Sequence, residues 1–359
     1  FHIPTKQGSV LPKTTKIGAG YGQGSGIGKR VAVAGTSAGA PRFAWTEDVY
    51  ATSPSWTANA TGLPGAVTTL SKLRLDPFNP GTTAYVVVDA AVAGSAAVYK
   101  NTAYRTGGSW SVVLAASAGR TVQDIQLTIA QPDFVAVIYN DATGLRATHS
   151  HNAGSTFPTD VLVSTSTNGY GIALGQWSSS IAYIIEDDSL SDTLRQSTDG
   201  MHTWSSVVSL DNISTAPSLP YEGNSSENTI YMIGQVSSDL VKYVSGVPTI
   251  VNGSSPVFAR LLISSADTNL MFAWNGADLF RSQSGGASFT ALTAPVSLAV
   301  NDGLALLRAQ LLFASGTGAT IHTSSDLGTS FTTRTGNLIT GVFTGVSPVV
   351  SAITPDWTT

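Results

Sequence analysis

The side chains able to do chemistry in this sequence are few and scattered. Cleavage of a glycosidic bond needs two carboxyl groups facing one another about 5–10 Å apart, and the carboxylates in suitable surroundings are Asp76, Asp133, Asp187 and Asp188. Glu186-Asp187-Asp188 follows the apolar run Ile181–Ile185, and crowded like charges raise one carboxyl pKa. Acidic residues at a strand end are equally ordinary turn residues. Tyr221-Glu222 is an adjacent tyrosine and glutamate, set in a stretch rich in Pro and Asn. His149 and His151 alternate, so on a strand both imidazoles share one face where a metal could sit, but the sequence brings no third ligand near them. The expectation is therefore no catalytic residue, no metal and no cofactor, with Asp76, Asp187 and Asp188 as the acidic candidates if the chain is an enzyme.

Composition narrows the classes further. The chain has 359 residues, 18 Lys and Arg against 22 Asp and Glu, a net charge of −4, no cysteine and only 11% charged residues. Scattered cations and a pI near 5.7 give no basic stripe for a run of phosphates, which argues against nucleic acid. No apolar run reaches the roughly 18 residues of a membrane span. Without cysteine there are no disulfides, thiolate metal sites or thiol nucleophiles. Low charge with abundant Ser and Thr favours an extracellular, cell-surface or virion-surface location.

The elements that must position these residues show as a repeat. Ser197-Thr198-Asp199-Gly200-Met201-His202-Thr203-Trp204 and Ser324-Ser325-Asp326-Leu327-Gly328-Thr329-Ser330-Phe331 share Ser, Asp and an aromatic at the same offsets. Ser150 to Phe157 places Asn152 in the Asp position and keeps Gly154; Ser282 to Phe289 carries Ser284 there and keeps Gly285 and Gly286. Fainter echoes end at Trp56, Trp110 and Ile250. The residue before the bulky one is Ser55, Ser109, Thr156, Thr203, Thr249, Ser288 or Ser330, a hydroxyl in every copy. The spacing of the copies suits a four-stranded propeller blade of roughly 40–50 residues. Apolar runs at 31–35, 71–75, 125–129, 170–174, 258–263 and 303–307 read as first, buried strands. Second runs follow at Phe43–Trp45, Tyr85–Val88, Phe134–Tyr139, Ile181–Ile185, Ile230–Ile233, Leu270–Trp274 and Leu311–Ala314, rich in β-branched and aromatic residues. A third strand enters each hairpin and a fourth leaves it. In such a hairpin the Asp or Asn oxygen accepts backbone N–H groups and Gly supplies a positive φ, so Asp199 and Asp326 are read as turn-holding rather than catalytic.

These residues resemble the Asp-box (BNR) repeat family, with its Ser-x-Asp-x-Gly-x-Thr-Trp pattern, found in sialidases, xyloglucanase-type glycosidases, sortilin-like domains and phage and surface propellers. Asp326-Leu327-Gly328-Thr329-Ser330-Phe331 keeps that spacing, whereas Asp199-Gly200 has its Gly one place early. Leu75-Asp76-Pro77-Phe78-Asn79-Pro80, followed by Tyr85–Val88, is similar to the inner-strand signature of the xyloglucanase and sortilin-like branch. The resemblance implies an all-β, seven-bladed β-propeller of four-stranded antiparallel blades, with structural roles for Ser150, Asn152, Gly154, Phe157, Ser197, Asp199, Gly200, Trp204, Ser282, Gly286, Phe289, Ser324, Asp326, Gly328 and Phe331. Sialidase chemistry needs an arginine on the substrate carboxylate, and the Phe1-His2-Ile3-Pro4 segment has His2 in that place, which removes the bidentate fork.

The expected organisation is an extended arm over 1–28, the propeller over 29–336, and a tail over 337–359 serving as a ring-closing strand or a contact between subunits. The functional expectation is a noncatalytic structural or adhesive propeller of a filament, cell envelope or phage virion, whose partner is protein, reached through the N-terminal arm, or glycan. The alternative is a carbohydrate-active enzyme or lectin, with Trp177, Trp274, Tyr170 and Tyr221 as stacking residues. Sequons begin at Asn59, Asn212, Asn224 and Asn252.

Overall fold

The computed structural model describes residues 30–90, 96–115, 119–128, 130–166, 168–175, 178–187, 192–210, 229–233, 240–252, 258, 260–264, 267–275, 277–298, 303–307, 311–344 and 348–355. The expected arm over 1–28, and with it Phe1 to Pro4, lies outside them, as do Trp177, Asp188, Tyr221, Glu222, Asn212 and Asn224.

Seven antiparallel sheets follow one another along the chain. Blade 1 contributes β1 (Val31–Ser37), β2 (Ala40–Thr46) and β3 (Thr57–Ala58), and blade 2 has β4 (Val67–Leu75), β5 (Ala84–Ala90), β6 (Ala96–Asn101) and β7 (Ser111–Leu114). Blade 3 is β8 (Thr121–Leu127), β9 (Val135–Asp141), β10 (Gly144–Ser150) and β11 (Thr159–Ser164); blade 4 is β12 (Asn168–Leu174), β13 (Ala182–Asp187), β14 (Asp192–Ser197) and β15 (Ser205–Leu210). Blade 5 shows β16 (Thr229–Ile233), β17 (Leu240–Val244) and β18 (Val247–Asn252) among the described residues. Blade 6 is β19 (Arg260–Ile263), β20 (Met271–Trp274), β21 (Leu279–Ser282) and β22 (Thr290–Leu292). Blade 7 is β23 (Leu304–Leu307), β24 (Leu311–Ser315), β25 (Ile321–Ser324) and β26 (Thr332–Thr333), after which β27 (Val349–Pro355) returns to pair with β1. The chain is a seven-bladed β-propeller, and its described helices are two short turns, Tyr104–Thr106 and Leu338–Val342.

The strand periodicity explains the ring. Along β5, Val86 and Val88 point into a layer shared with Ala32, Ala34 and Phe43 of blade 1, whereas Tyr85 and Val87 point into one shared with Ile125 and Val137 of blade 3. A strand that packs on both faces needs an unbroken apolar run rather than an alternating one, and β9 is buried at six successive positions, Val135 to Asn140. The core is accordingly seven layers, each between two neighbouring blades.

Blade 1 departs from the expected strand order. Its sheet runs β27-β1-β2-β3, so the 31–35 run, expected innermost, is the second strand, and Phe43–Trp45 lies in the third. The innermost place is taken by β27, whose Val350 and Ile353 enter the layer between blades 7 and 1 with Val31, Val33 and Phe313. Val349 O lies so near Gly35 that a Cβ there would sit 2.0 Å from it. The register between β1 and β27 shifts at this point.

Blade 5 also departs. Ser245 (φ 47°) and Gly246 (φ 99°) join β17 to β18 in a two-residue turn of the I′ type. That turn leaves no room for the longer loop of the other hairpins, and Ile250, aligned with the bulky residues, is 61% exposed on the outer strand.

Candidate functional site

Each four-stranded meander reverses at every connection, so the first-to-second and third-to-fourth connections of all blades lie on one face of the ring, and the second-to-third connections on the other. The repeated hairpins gather on the first of these faces.

Their geometry accounts for the residue pattern. The serine hydroxyl oxygen accepts the backbone N–H four residues on: Gly154 to Ser150 at 2.8 Å, Met201 to Ser197 at 2.9 Å, Gly286 to Ser282 at 2.9 Å and Gly328 to Ser324 at 2.7 Å. Asp199 Oδ1 accepts the N–H groups of His202 and Thr203, both at 3.0 Å, and its Oδ2 accepts the Thr203 hydroxyl at 2.6 Å. Asp326 does the same with Ser330, through the N–H at 2.9 Å and the hydroxyl at 2.6 Å. In blade 3, Asn152 Oδ1 accepts the Thr156 N–H at 2.9 Å, and in blade 6 Ser284 Oγ accepts that of Ser288 at 3.1 Å. The recurrent hydroxyl is thus a partner of the turn carboxylate. These bonds hold Asp326 down to about 2, the Ser330 hydroxyl contributing most, and pull Asp199 below the ordinary carboxylate range through Thr203. The early Gly of blade 4 is resolved by Met201, which takes the left-handed φ of 71° where its counterparts Gly154, Gly286 and Gly328 stand at 83°, 91° and 85°. Met201 is fully buried between blades 3 and 4. Phe157, Trp204, Phe289 and Phe331 are half-buried against their layers.

The residue just before the hairpin serine, which the sequence reading passed over, faces the next blade. Lys100 stands opposite Tyr85, and its ammonium donates to Ala153 O at 2.8 Å; the Tyr85 hydroxyl donates to the same oxygen at 3.1 Å. Arg281, opposite Phe272, donates to Leu327 O at 3.0 Å. Arg105 of blade 2 lies over the Trp45 ring of blade 1, 5.3 Å from its centroid. Thr323 accepts from Arg334 Nε at 3.4 Å, and Arg334 Nη1 donates to Tyr50 O of blade 1 at 3.2 Å. In blade 3 the position holds His149, which meets His202 of blade 4 with ring centroids 5.1 Å apart. A signal for this ring existed, since each member immediately precedes the hairpin serine or its equivalent, but its side-chain type varies.

Of the acidic candidates, Asp76 and Asp133 share one face and Asp187 lies on the other. Asp76, buried in the β4–β5 connection, accepts the Phe78 N–H at 2.9 Å through Oδ1 and the Asn79 amide at 3.3 Å through Oδ2. Asp133, exposed in the β8–β9 connection on the same face, lines with Asp76, Tyr85 and Phe134 a shallow depression with no enclosed volume. Asp187 ends β13 on the opposite face. Its neighbour Glu186 is buried, takes Arg195 Nε at 2.5 Å and accepts the Ser164 hydroxyl. Asp124 on the inner strand β8 is buried against Arg74 at 3.3 Å and Lys72 at 3.9 Å. Of the stacking candidates, Trp274 is buried between blades 6 and 7, and Tyr170 is the extra residue where the β12–β13 register shifts. Among the described residues no three of His, Cys, Asp and Glu are placed to hold a metal ion, and no helix is long and apolar enough to cross a membrane.

Asn59 is also not free for a glycan, because its side-chain nitrogen donates to Tyr104 O at 2.8 Å and to Gly108 O at 2.9 Å. The surface does expose apolar side chains around the blade 5 hairpin: Val244, Val247 and Ile250 at 41%, 62% and 61%. Val244 and Val247 flank the two-residue turn and form its hydrogen-bonded pair, so Pro248, the next position, turns its nitrogen to the open edge. An added strand would find no donor there.

No protein-family profile matches the sequence, and no curated protein does. Solved structures do. A functionally unknown protein from Desulfotomaculum acetoxidans is similar at a TM-score of 0.60 and 11% identity, over 91% of this chain and 98% of that one. The GH74 xyloglucanase from Xanthomonas campestris is similar at 0.59 and 14% identity over 84% of this chain, which spans 51% of the enzyme. YCF48 bound to D1 peptide is similar at 0.51 and 11% identity, over 74% of this chain and 81% of that one. At these identities the likeness is one of fold, and it agrees with the seven-bladed propeller read from the strands.

Proposed function

We propose that the chain is a noncatalytic propeller, a structural or adhesive component of an extracellular or particle surface such as a filament, cell envelope or phage virion. The observation that carries this reading is the disposition of the carboxylates. Asp76 and Asp187 lie on opposite faces, Asp76, Glu186 and Asp124 are each engaged in a turn or an ion pair, and the depression that Asp133 shares with Asp76 is too shallow to seat a sugar between two carboxyl groups as glycosidase chemistry requires. The exposed Val244, Val247 and Ile250 add support for a protein contact made by side chains, since Pro248 disfavours strand addition at that edge. A similar propeller, YCF48, is known with a peptide bound.

The test is electron microscopy with light scattering on the purified chain, with and without residues 1–28, beside a glycan array and a glycosidase panel. Ordered assemblies lost on removing the arm are the expected result. A stable monomer that hydrolyses a glycan overturns the reading.

A further inference from the structure

Four blade boundaries are bridged by lysine or arginine at the position before the hairpin serine or beside it. The boundary between blades 3 and 4 is bridged by imidazoles. His149 is 1% exposed and stacks on Phe134 at 5.6 Å, while His151 and His202 stand edge-on to it at 5.0 Å and 5.1 Å. Its Nδ1 is buried with no hydrogen-bond partner among the described residues. We propose that this trio is an acid-sensitive latch, which holds blades 3 and 4 together while the His149 imidazole is neutral and releases that boundary when it takes up a proton.

The physical ground is proximity without an acceptor. A proton on His149 puts a charge on a ring that has lost its water, where charge is poorly screened and two further imidazoles stand about 5 Å away. That proton has no oxygen to meet and must draw water into the layer. The groups facing it are His151 from the hairpin just after its own strand, Phe134 just before β9, and His202 from the blade 4 hairpin. Asp199 accepts the His202 N–H, but its oxygens are also held by Ser197 and Thr203. Gln131 from the β8–β9 connection bonds His151 Nδ1 at 2.8 Å, and Asp133 in the same connection is exposed.

Burial first, and then the two neighbouring imidazoles, pull His149 down to about 4 from an ordinary value of 6.5. A lowered value in the folded state means that the contribution is complete above pH 6.5 and is lost as pH falls toward 4. At pH 5 the linkage disfavours the closed boundary on the order of thirtyfold relative to pH 7.5. The inference holds whatever the propeller binds.

The experiment is amide hydrogen exchange at pH 7.5 and pH 5, corrected for intrinsic rates, with NMR titration of the histidines in the whole chain. Protection at His149, Ser150 and Met201 to Thr203 is expected to fall at least tenfold more than at the Lys100–Ala153 and Arg281–Leu327 boundaries, and His149→Phe to abolish the excess. Equal loss at all boundaries, or an unchanged excess in His149→Phe, overturns the latch. Should that variant not fold, His202→Gln is expected to raise the His149 midpoint, and an unmoved midpoint overturns it equally.

Discussion

The ammonium of Lys100 in blade 2 and the carbonyl of Ala153 in blade 3 meet at 2.8 Å, so a charge on one sheet holds the hairpin of the next. Burial pulls this ammonium below the usual lysine value, with Asp133 and Asp76 acting the other way. The bond ties together two sheets that share no strand pairing. Lys100→Met is expected to cost about 1.5–3 kcal/mol, the range for a hydrogen bond to a charged group, read as a lower melting temperature. The Tyr85 hydroxyl, on the same oxygen at 3.1 Å, keeps part of the contact. Adding Tyr85→Phe should therefore cost more than the two separate losses combined, as for any shared partner.

The hairpin carboxylates carry an acid dependence. The folded pKa of Asp326, about 2, lies below the ordinary 3.8, so its contribution is present above pH 3.8 and lost as pH falls through 2. Asp326 is exposed, and solvent screening keeps the effect small. Asp326→Asn retains an acceptor for the Ser330 N–H, as Asn152 shows in blade 3, and its melting curve should run below that of the parent at neutral pH and converge with it near pH 2. A constant gap down to pH 2 would contradict the assignment.

Ring closure has a steric signature. Gly35→Ala would set a Cβ 2.0 Å from Val349 O and force β1 away from β27, which is expected to cost about 3 kcal/mol or more. Gly65→Ala, with nothing within 4 Å of the new atom, is the control and should leave chemical denaturation unchanged.

Asn59 provides a test in a glycosylating host. With its nitrogen bonded to two carbonyls and only 7% of the residue exposed, peptide mapping should find it unmodified. Asn59→Ala should cost about 1–3 kcal/mol, because the buried Tyr104 carbonyl loses its donor while Gly108 O keeps the Asn101 amide.

The strands were the most legible part of the sequence, because packing on two faces writes long apolar runs such as Val135–Tyr139. The hairpins were legible for a related reason: the Ser, the Asp, Asn or Ser two places on, and the hydroxyl before the aromatic each make a bond that an apolar residue cannot. Where chemistry tolerates substitutes, the pattern misled. Met201 holds a left-handed turn that its counterparts give to Gly, and Ile250 matched a column of buried and half-buried side chains while sitting in solvent. The 337–359 tail was expected as a ring-closing strand or a subunit contact, but its inner place in blade 1 was not legible, because an inner strand reads alike wherever in the chain it occurs. The blade-bridging position was hidden too, since Trp45, Lys100, His149, Arg281 and Thr323 solve one geometric problem with five different chemistries. His202 joined His149 only through the packing of two blades, a proximity that no local spacing encodes.

The pairing of β27 with β1 also orders events in time. Ser37 Oγ donates to Thr344 O across 307 residues, and Trp56 N to Asn337 Oδ1 across 281. A chain emerging from the ribosome can build blades 2 to 4 from neighbouring sequence, while blade 1 waits for a strand not yet made. Until residues 349–355 arrive, the inner edge of β1 is an open row of backbone donors and acceptors, the kind of edge that pairs with whatever strand comes near. Contacts of such long sequence separation form slowly. The nascent propeller is thus most exposed to misassembly at the seam that, once closed, leaves the ring without a beginning.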